Sequence, residues 1–215
     1  MVTRKRTAIL ISGRGSNMVA LLDAAALEFY PAEIVLVLSN RPEAPGLATA
    51  ASRNVPTRCI DSKKFGRDRA GHEAEILAQL DRLDVELICL AGWMRLLTPG
   101  FVRRYAGRIL NVHPSLLPAF PGLFTHERAL AEGVRIHGCT VHLVTEAMDQ
   151  GPILAQAAVP VRPEDTPEIL AARVLVQEHA IFPAALAAFA AGVAPRPASA
   201  ALALCNPLPW LCAGP

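Results

Sequence analysis

Short runs of aliphatic residues alternate along the chain with longer segments whose apolar residues recur every three or four positions. Runs such as Leu36-Val37-Leu38 and Ile88-Cys89-Leu90 are continuously apolar, as expected of parallel strands that are covered on both faces. The pattern predicts strands at Thr7–Ser12, Ile34–Ser39, Thr57–Ile60, Leu87–Ala91, Ile109–His113 and Gly138–Val144. It predicts helices at Ser16–Leu27, Pro45–Arg53, Arg67–Leu83 and Pro167–Ala191, the last with a break at Pro183.

This alternation of strands and helices predicts an α/β fold, with a doubly wound, mostly parallel sheet and helices on both faces. Ligands of such sheets bind beyond the carboxyl ends of the strands, so we expect functional side chains directly after strands. Residues 192–215 differ from the rest, because they combine repeated prolines with a single charged residue, Arg196. We expect them to form an irregular tail behind a domain that covers residues 1–191.

The composition is that of an ordinary globular domain. The chain has 215 residues, of which 52% are hydrophobic and 19% are charged, so it can bury a core without disulfides or metals. Its formal net charge of +2 is too small to predict binding to nucleic acid or to an acidic membrane surface.

The cysteines and the N-terminus indicate where the protein works. The five cysteines are scattered and never form a C-x-x-C pair, which is typical of a reducing compartment rather than of a disulfide scaffold or a structural zinc site. The apolar run Thr7–Ile11 is too short for a signal peptide, although Arg4-Lys5-Arg6 precedes it. No stretch approaches the roughly 18 apolar residues of a membrane helix. We therefore expect a cytoplasmic protein.

A glycine-rich loop follows the first predicted strand. In Ser12-Gly13-Arg14-Gly15-Ser16-Asn17 the glycines allow a tight turn, and the helix that follows offers unpaired N–H groups to an anion such as phosphate. A dinucleotide is not favoured, because Met18 replaces the third glycine of G-x-G-x-x-G and Ser39-Asn40 replaces the acidic residue that would bind a ribose. The loop predicts a phosphorylated small molecule; the alternative is a structural turn capped by Ser16 or Asn17.

The fifth predicted strand ends in Asn111-Val112-His113-Pro114-Ser115. The two-residue period of a strand places Asn111 and His113 on the same face. An amide donor beside an imidazole suits acyl transfer, in which a carbonyl oxygen becomes an oxyanion and a leaving group needs a proton. The alternative is that both side chains only satisfy nearby backbone groups.

A carboxylate follows the sixth predicted strand, in the polar turn Thr145–Pro152. Asp149 in this turn could hydrogen-bond His113, hold its tautomer and favour its charged form. Alone, Asp149 would be an ordinary turn residue. Together, Asn111, His113 and Asp149 are the candidate catalytic residues.

Several motifs resemble one known family, in the same order along the chain from about residue 7 to residue 190. They are Gly13-Arg14-Gly15-Ser16-Asn17, Ala91-Gly92-Trp93-Met94-Arg95-Leu96-Leu97, Asn111-Val112-His113-Pro114-Ser115-Leu116-Leu117-Pro118, Met148-Asp149-Gln150-Gly151-Pro152-Ile153 and Arg173-Val174-Leu175-Val176-Gln177-Glu178-His179. This set resembles the glycinamide ribonucleotide formyltransferases of purine synthesis. The Asn-x-His-Pro-Ser motif with the downstream Asp is specific to folate-dependent formyl transfer.

The resemblance implies a transfer of the formyl group of 10-formyltetrahydrofolate, a co-substrate, to the amine of 5-phosphoribosylglycinamide, without a metal. In this reaction Asn111 would donate to the developing oxyanion, His113 would supply positive charge and act as general acid, and Asp149 would orient and charge His113. It implies a phosphate-binding N-terminal half and a folate-binding, catalytic C-terminal half. The expected partners are small molecules, not nucleic acid or membrane, and the enzyme would be a monomer or a homodimer.

The resemblance also assigns binding residues. Gly15, Ser16 and Asn17 would hold the substrate phosphate, and Glu178 would lie near its amine. The folate would lie against two segments and beside Arg69. These segments are Met94, Arg95, Leu96 and Leu97, and Thr145, Glu146, Ala147, Met148 and Asp149. The alternative for Met94–Leu97 is ordinary core, because apolar residues after a buried strand are usually buried.

Other functions remain open. Formyltetrahydrofolate deformylases carry a regulatory domain before the glycine loop, and methionyl-tRNA formyltransferases carry a sizeable C-terminal domain. Since the first strand here begins at Thr7 and only a short apolar tail follows the last helix, we expect the small ribonucleotide substrate. The closest alternative is formylation of an amino sugar nucleotide or a tRNA. An alternative of another class is a catalytically silent nucleotide-binding module.

Three positions depart from the family pattern. Phe124 stands where relatives commonly have histidine, Ala119 where lysine is frequent, and Leu175 where polar residues occur. Local contacts are expected to differ at these positions, but the three chemical residues are all present.

The segment His137-Gly138-Cys139-Thr140-Val141-His142 contains three possible metal ligands. On a regular strand His137 and Cys139 share one face while His142 takes the other, so one ion could not readily collect all three. We expect no metal site.

Overall fold

The computed structural model describes residues 4–193. Its strands are β1 (Lys5–Ile11), β2 (Ala32–Ser39), β3 (Thr57–Cys59), β4 (Leu87–Leu90), β5 (Ile109–His113), β6 (Ile136–Leu143) and β7 (Ile153–Pro160). Its helices are α1 (Ser16–Ala25), α2 (Pro45–Ala51), α3 (Arg69–Arg82), α4 (Pro99–Arg104), α5 (Thr125–Ala131) and α6 (Pro167–Ala190), with a 3-10 turn at Ser62–Phe65.

The seven strands form one sheet in the order β3-β2-β1-β4-β5-β6-β7. β1 pairs in parallel with β2 and with β4, β2 with β3, and β4 with β5, whereas β6 and β7 are antiparallel. The predicted α/β fold with a mostly parallel sheet is therefore confirmed.

The described residues divide into two compact units, with the boundary between Asn111 and Val112. The core of the first unit is built on the apolar runs that the sequence marks as strands. Ala8, Ile9 and Leu10 of β1 and Val37 and Leu38 of β2 have no exposed surface, as expected for central parallel strands.

Helix starts in the first unit follow from local side-chain chemistry. The Asp68 carboxylate accepts a hydrogen bond from Gly71 N at the start of α3, and Thr98 Oγ1 accepts one from Phe101 N at the start of α4. Helix α1 has no such cap, since Gly15, with a left-handed φ of 72°, precedes it. The N–H groups of its first turn are thus left to other acceptors.

In the second unit the chain forms an antiparallel pair, β6 and β7, against which α6 packs. Gly138 and Gly151 are required by close backbone approach, because a Cβ on either would overlap the carbonyl oxygen of Ala157 or Leu143, respectively. Gly151 thereby keeps the loop after β6, which carries Asp149, close to the end of that strand.

Helix α6 runs through Pro183 without interruption, so the predicted break there is wrong. Proline cannot donate a hydrogen bond to the carbonyl four residues earlier, but Ile181, Phe182 and Ala184 on either side are buried. Burial of the residues on both sides of Pro183 stabilises the continuous helix. Among residues 4–193, α6 alone is long and apolar enough to cross a membrane, but half of that stretch is buried inside the protein, as in a core helix.

Strand β7 and helices α4 and α5 were not predicted. The sequence of β7, Ile-Leu-Ala-Gln-Ala-Ala-Val-Pro, is rich in alanine, which is depleted in strands, so its pairing with β6 and not its propensity makes it a strand. The predicted irregular tail concerns residues 192–215, of which 194–215 lie outside the described residues.

Candidate active site

The glycine loop borders a cavity of about 310 Å³ in the first unit. The cavity is lined by Ser12, Gly13, Arg14, Gly15, Ser16, Asn17, Arg41, Ala91, Gly92 and Met94. It therefore lies at the carboxyl ends of β1, β2 and β4, where the fold predicts ligand binding. The amino end of α1 contributes N–H groups and a partial positive charge to this cavity.

A close approach of α2 fixes the shape of the loop. Gly46 N donates to the carbonyl of Gly13 at 3.2 Å, and a Cβ on Gly46 would crowd the carbonyls of Gly13 and Arg14 as well as Ile11. A larger residue at position 46 would require Ile11 and the loop backbone to shift. This contact positions the glycine loop against the start of α2.

Two arginines in the cavity wall were missed as binding residues at the sequence level. Arg14 lies within the glycine loop and Arg41 comes two residues after β2, and both side chains are exposed. Within residues 4–193 neither guanidinium hydrogen-bonds or pairs with another side chain. The sequence signal for Arg41 was its position just after β2, because a residue at that position contacts the ligand in related sheets.

The segment after β4 is not core. Met94 and Leu96 are 63% and 61% exposed, so the core alternative for these two residues is wrong. The Arg69 guanidinium donates to the carbonyl of Leu96, which brings together two parts of the predicted folate contact. The structure thus presents an apolar, exposed edge beside the cavity wall.

Strand β5 ends at His113, and its imidazole is buried. The ring atom Nε2 lies 3.0 Å from the carbonyl oxygen of Phe120. Because a carbonyl only accepts, Nε2 must carry the proton of this hydrogen bond, and the tautomer follows from the contact. The other nitrogen, Nδ1, faces Asp149.

Asp149 sits in the loop after β6 with a left-handed φ of 55°. Its Oδ2 accepts a hydrogen bond from Gly122 N at 2.8 Å and lies 3.7 Å from His113 Nδ1. The expected contact between Asp149 and His113 is therefore present at ion-pair distance, not as a direct hydrogen bond. The carboxylate and the imidazole are both almost fully buried, so their interaction is screened less than on a surface.

A second histidine approaches the same carboxylate. His142 Nδ1 lies 3.0 Å from the carbonyl of Leu143, and His142 Nε2 lies 3.9 Å from Asp149 Oδ1. Burial lowers the pKa of His142, while Asp149 opposes this shift. The sequence offered His142 only as a possible metal ligand, and its proximity to Asp149 was not predicted.

The remaining predicted residues are placed as follows. Asn111 lies two residues before His113 on β5 and is partly exposed. Glu178 is buried on α6. Burial of the Cys139 thiol on β6, together with the nearby charge of Glu178, raises the pKa of Cys139 to about 12. Thr145, Glu146, Ala147 and Met148 form an exposed loop that leads into Asp149. The roles assigned to these residues stay predictions.

Two further histidines lie near His113. His137 Nε2 and His126 Nδ1 are 3.2 Å apart, and the ring of His137 contacts that of Phe120 edge-on. Burial lowers the pKa of His126, and burial together with His126 lowers the pKa of His137 to about 4. Both rings are therefore neutral at neutral pH.

These lowered pKa values predict that the fold is less stable in acid. The unfolded chain, with histidine pKa values near 6.5, binds more protons than the folded chain between about pH 6.5 and pH 4. The contribution of these neutral histidines to the free energy of unfolding should be fully present above pH 6.5. It should be lost as the pH is lowered through this window. Denaturant unfolding followed by circular dichroism at several pH values measures it.

His137→Gln is the variant that isolates this effect, since it removes the histidine whose pKa is lowered to about 4. The loss of stability between pH 6.5 and pH 4 should be smaller in the variant than in the unmodified chain. Equal losses in the two proteins would show that His137 is not buried in its neutral form.

The described part of the chain contains no group of three or more His, Cys, Asp or Glu side chains arranged to hold a metal ion. In the segment that suggested one, His137 contacts His126 and His142 faces Asp149.

Comparison with known proteins identifies relatives over most of the chain. The model of the formyl transferase family matches residues 5–186. The phosphoribosylglycinamide formyltransferase of Escherichia coli is 42% identical over 184 residues, which cover 86% of each chain. A crystal structure of the phosphoribosylglycinamide formyltransferase of Brucella melitensis has a TM-score of 0.84 and 57% identity, covering 89% of this chain and 98% of that one.

Longer proteins contain the same region. The trifunctional purine biosynthetic protein adenosine-3 of Gallus gallus is 48% identical over 187 residues, which are 87% of this chain but 18% of that protein. The chain thus spans less than a fifth of the length of the trifunctional relatives that it matches. Its match to the two bacterial proteins covers at least 86% of every chain compared, and the chain belongs to the phosphoribosylglycinamide formyltransferase family of transferases.

Proposed function

We propose that this chain transfers the formyl group of 10-formyltetrahydrofolate to the amine of 5-phosphoribosylglycinamide, a step of de novo purine biosynthesis. The observation that carries the proposal is the similarity, over most of both chains, to phosphoribosylglycinamide formyltransferases from Escherichia coli and Brucella melitensis. We expect the reaction to take place in the cytoplasm, with small molecules as the only substrates.

The cavity at the glycine loop supports a phosphorylated substrate. Gly15 directly precedes α1, and Ser16 and Asn17 begin it; the first N–H groups and the dipole of this helix favour an anion. Arg14 and Arg41 add two positive charges to the same cavity wall. A phosphate dianion matches this combination, because guanidinium groups bind phosphate with two parallel hydrogen bonds.

Removing either guanidinium should weaken binding of the phosphorylated substrate without slowing the chemistry. For Arg14→Gln and for Arg41→Gln we expect the KM for the phosphorylated amine to rise on the order of tenfold, while kcat stays nearly constant. Since the lost interaction is ionic, the KM in the variants should also depend less on salt. Steady-state kinetics at two ionic strengths measure both effects.

Arg58→Gln is the matched control, because Arg58 is an exposed arginine of the same unit that does not line the cavity. Its KM should equal that of the unmodified chain. An unchanged KM in both Arg14 and Arg41 variants would remove the two arginines from the phosphate site.

The exposed apolar edge after β4 supports the folate site. Met94 and Leu96 present apolar surface that a pterin or benzoyl ring can cover, and Arg69 holds the backbone at Leu96. We propose that Met94, Arg95, Leu96 and Leu97, with the Thr145–Asp149 loop, bind the folate. Arg69 would then contribute to folate binding in two ways. It holds this segment in place, and it adds a positive charge to the site.

The catalytic roles are proposed from the geometry around His113. Because Nε2 donates to the carbonyl of Phe120, Nδ1 is the nitrogen left to serve as general acid, and its ring must be an imidazolium to do so. Asp149, 3.7 Å from Nδ1, would stabilise this charge. Asn111 would donate its amide N–H to the oxygen that becomes negative.

These roles account for the atoms and protons of the reaction. The neutral amine attacks the formyl carbon, and Asn111 together with the imidazolium stabilises the tetrahedral oxyanion. The attacking nitrogen gives up a proton to water, and His113 Nδ1 gives one to the leaving nitrogen of the folate. The carbonyl then re-forms as the C–N bond to the folate breaks, and the imidazole of His113 regains its proton from solvent. Glu178 would lie near the attacking amine and help to position it.

The choice of amine tests this proposal against its nearest alternatives. Purified chain is incubated with 10-formyltetrahydrofolate and, in parallel, 5-phosphoribosylglycinamide, an amino sugar nucleotide, methionyl-tRNA or no acceptor, and products are identified by mass spectrometry. We expect the phosphoribosylglycinamide alone to be formylated. Formylation of another amine would replace the proposed substrate, and free formate without an acceptor would indicate a deformylase.

A further inference from the structure

Ser12 joins three strand ends and is not used by the proposed mechanism. It follows β1 directly and is 4% exposed. Its Oγ donates to Asn40 Oδ1 at 2.6 Å and accepts from Met94 N at 2.9 Å, and its own N–H donates to the carbonyl of Gly92 at 3.1 Å. One buried side chain thereby connects the ends of β1, β2 and β4.

The hydroxyl is fully used in this arrangement. Its single hydrogen goes to Asn40, and a lone pair receives the N–H of Met94. Asn40 is held in turn, because its Nδ2 lies 3.4 Å from Ser62 Oγ after β3. A side chain without the hydroxyl would leave a buried acceptor and a backbone donor without partners, which a folded interior does not tolerate at low cost.

The two segments that Ser12 connects are the two proposed binding segments of this unit. The glycine loop, which begins at Gly13, is on one side, and Met94–Leu97 is on the other. Both line the same cavity, through Gly13–Asn17 and through Met94. Arg69 holds the far end of the second segment at Leu96. A ligand that orders one of these segments therefore also orders the other segment, to which the second ligand binds.

We infer that Ser12 is a positioning residue that couples the two ligands, so that the phosphorylated amine and the folate each bind more tightly when the other is present. This inference rests on the proposed function, which supplies both ligands. Ser12 itself contacts neither the formyl group nor the reacting nitrogens in this role. It holds the glycine loop and the Met94 backbone in the single geometry that suits both ligands.

Isothermal titration calorimetry tests the coupling with a pair of ligands that cannot react. 5-Phosphoribosylglycinamide and tetrahydrofolate, which lacks the formyl group, are each titrated alone and in the presence of the other. For the unmodified chain we expect each Kd to fall at least fivefold when the second ligand is bound. Thermodynamic reciprocity requires the same factor for both ligands.

Three variants and one control identify Ser12 as the connection. Ser12→Ala should reduce the coupling factor to below twofold, Ser12→Thr should restore it by keeping the hydroxyl, and Ser52→Ala, at an exposed helix end, should leave it unchanged. Should Ser12→Ala fail to fold, Ser12→Cys keeps a similar volume with a weak hydrogen-bonding group and should show a reduced factor.

Separate outcomes overturn the inference and the proposed function. A coupling factor of one in the unmodified chain, or a full factor in Ser12→Ala or in Ser12→Cys, overturns the role of Ser12 while both ligands still bind. Failure of the unmodified chain to bind either ligand overturns the proposed function itself.

Discussion

Replacing His113 with glutamine is expected to lower kcat on the order of a thousandfold, the range of a lost general acid. Glutamine places an amide nitrogen near the position of Nε2, so it can keep the hydrogen bond to the carbonyl of Phe120. It has no group at the position of Nδ1 and no positive charge. The leaving folate nitrogen then lacks its proton donor, while both binding segments in the first unit are untouched.

The kinetic pattern separates this loss from a loss of binding. We expect kcat and kcat/KM to fall together, with both KM values within about threefold of the unmodified chain, as for an interaction made only in the transition state. His179→Gln makes the same change on α6, at a histidine outside the proposed mechanism, and should keep kcat. A His113→Gln enzyme with near-normal formyl transfer would contradict the mechanism.

Asp149→Asn should lower kcat by about a hundredfold or more, because the imidazolium of His113 loses its neighbouring negative charge. Asparagine suits this test better than alanine for two reasons. Asparagine tolerates the left-handed φ of 55° at this position, and its oxygen can still accept from Gly122 N. The substitution therefore removes charge with little change of shape.

Asp165→Asn is the control for this variant. Asp165 accepts two hydrogen bonds from Arg173 at the start of α6, which hold its pKa down at about 2, yet it has no part in the proposed chemistry. We expect its kcat to be unchanged. Equal kcat values for Asp149→Asn and the unmodified chain, measured at saturating concentrations of both substrates, would show that the charge of Asp149 does not support His113.

Much of the fold could be predicted from the pattern of apolar residues, because central parallel strands are almost continuously apolar. The strand ending at His113 was predicted with its observed bounds, Ile109–His113. Strand β7 was missed since its alanines carry little strand propensity and its pairing partner β6 is what defines it. The continuous helix at Pro183 was missed for a similar reason, as buried neighbours outweigh a local helix breaker.

The parts of the candidate site that consist of neighbouring residues in the sequence could be predicted. The parts that depend on contacts between distant residues could be predicted less well. The glycine loop and the Asn111–His113 pair are local motifs. The approach of His142 and Gly122 to Asp149 depends on loop geometry, including the close packing of Gly151, that no local pattern reveals. Exposure of Met94 and Leu96 likewise contradicts the usual burial of apolar residues after a strand.

We expect this chain to move a formyl group from folate to the amine of 5-phosphoribosylglycinamide. The most direct measurement is a single-turnover reaction in which 10-formyltetrahydrofolate carries an isotopic label in its formyl carbon. We predict that the label appears in formylated 5-phosphoribosylglycinamide in proportion to the amount of enzyme. With the His113→Gln enzyme, no labelled product should form on the same timescale. Label that remains on the folate, or that is released as formate while the amine stays unmodified, would contradict a transfer of the formyl group to this amine.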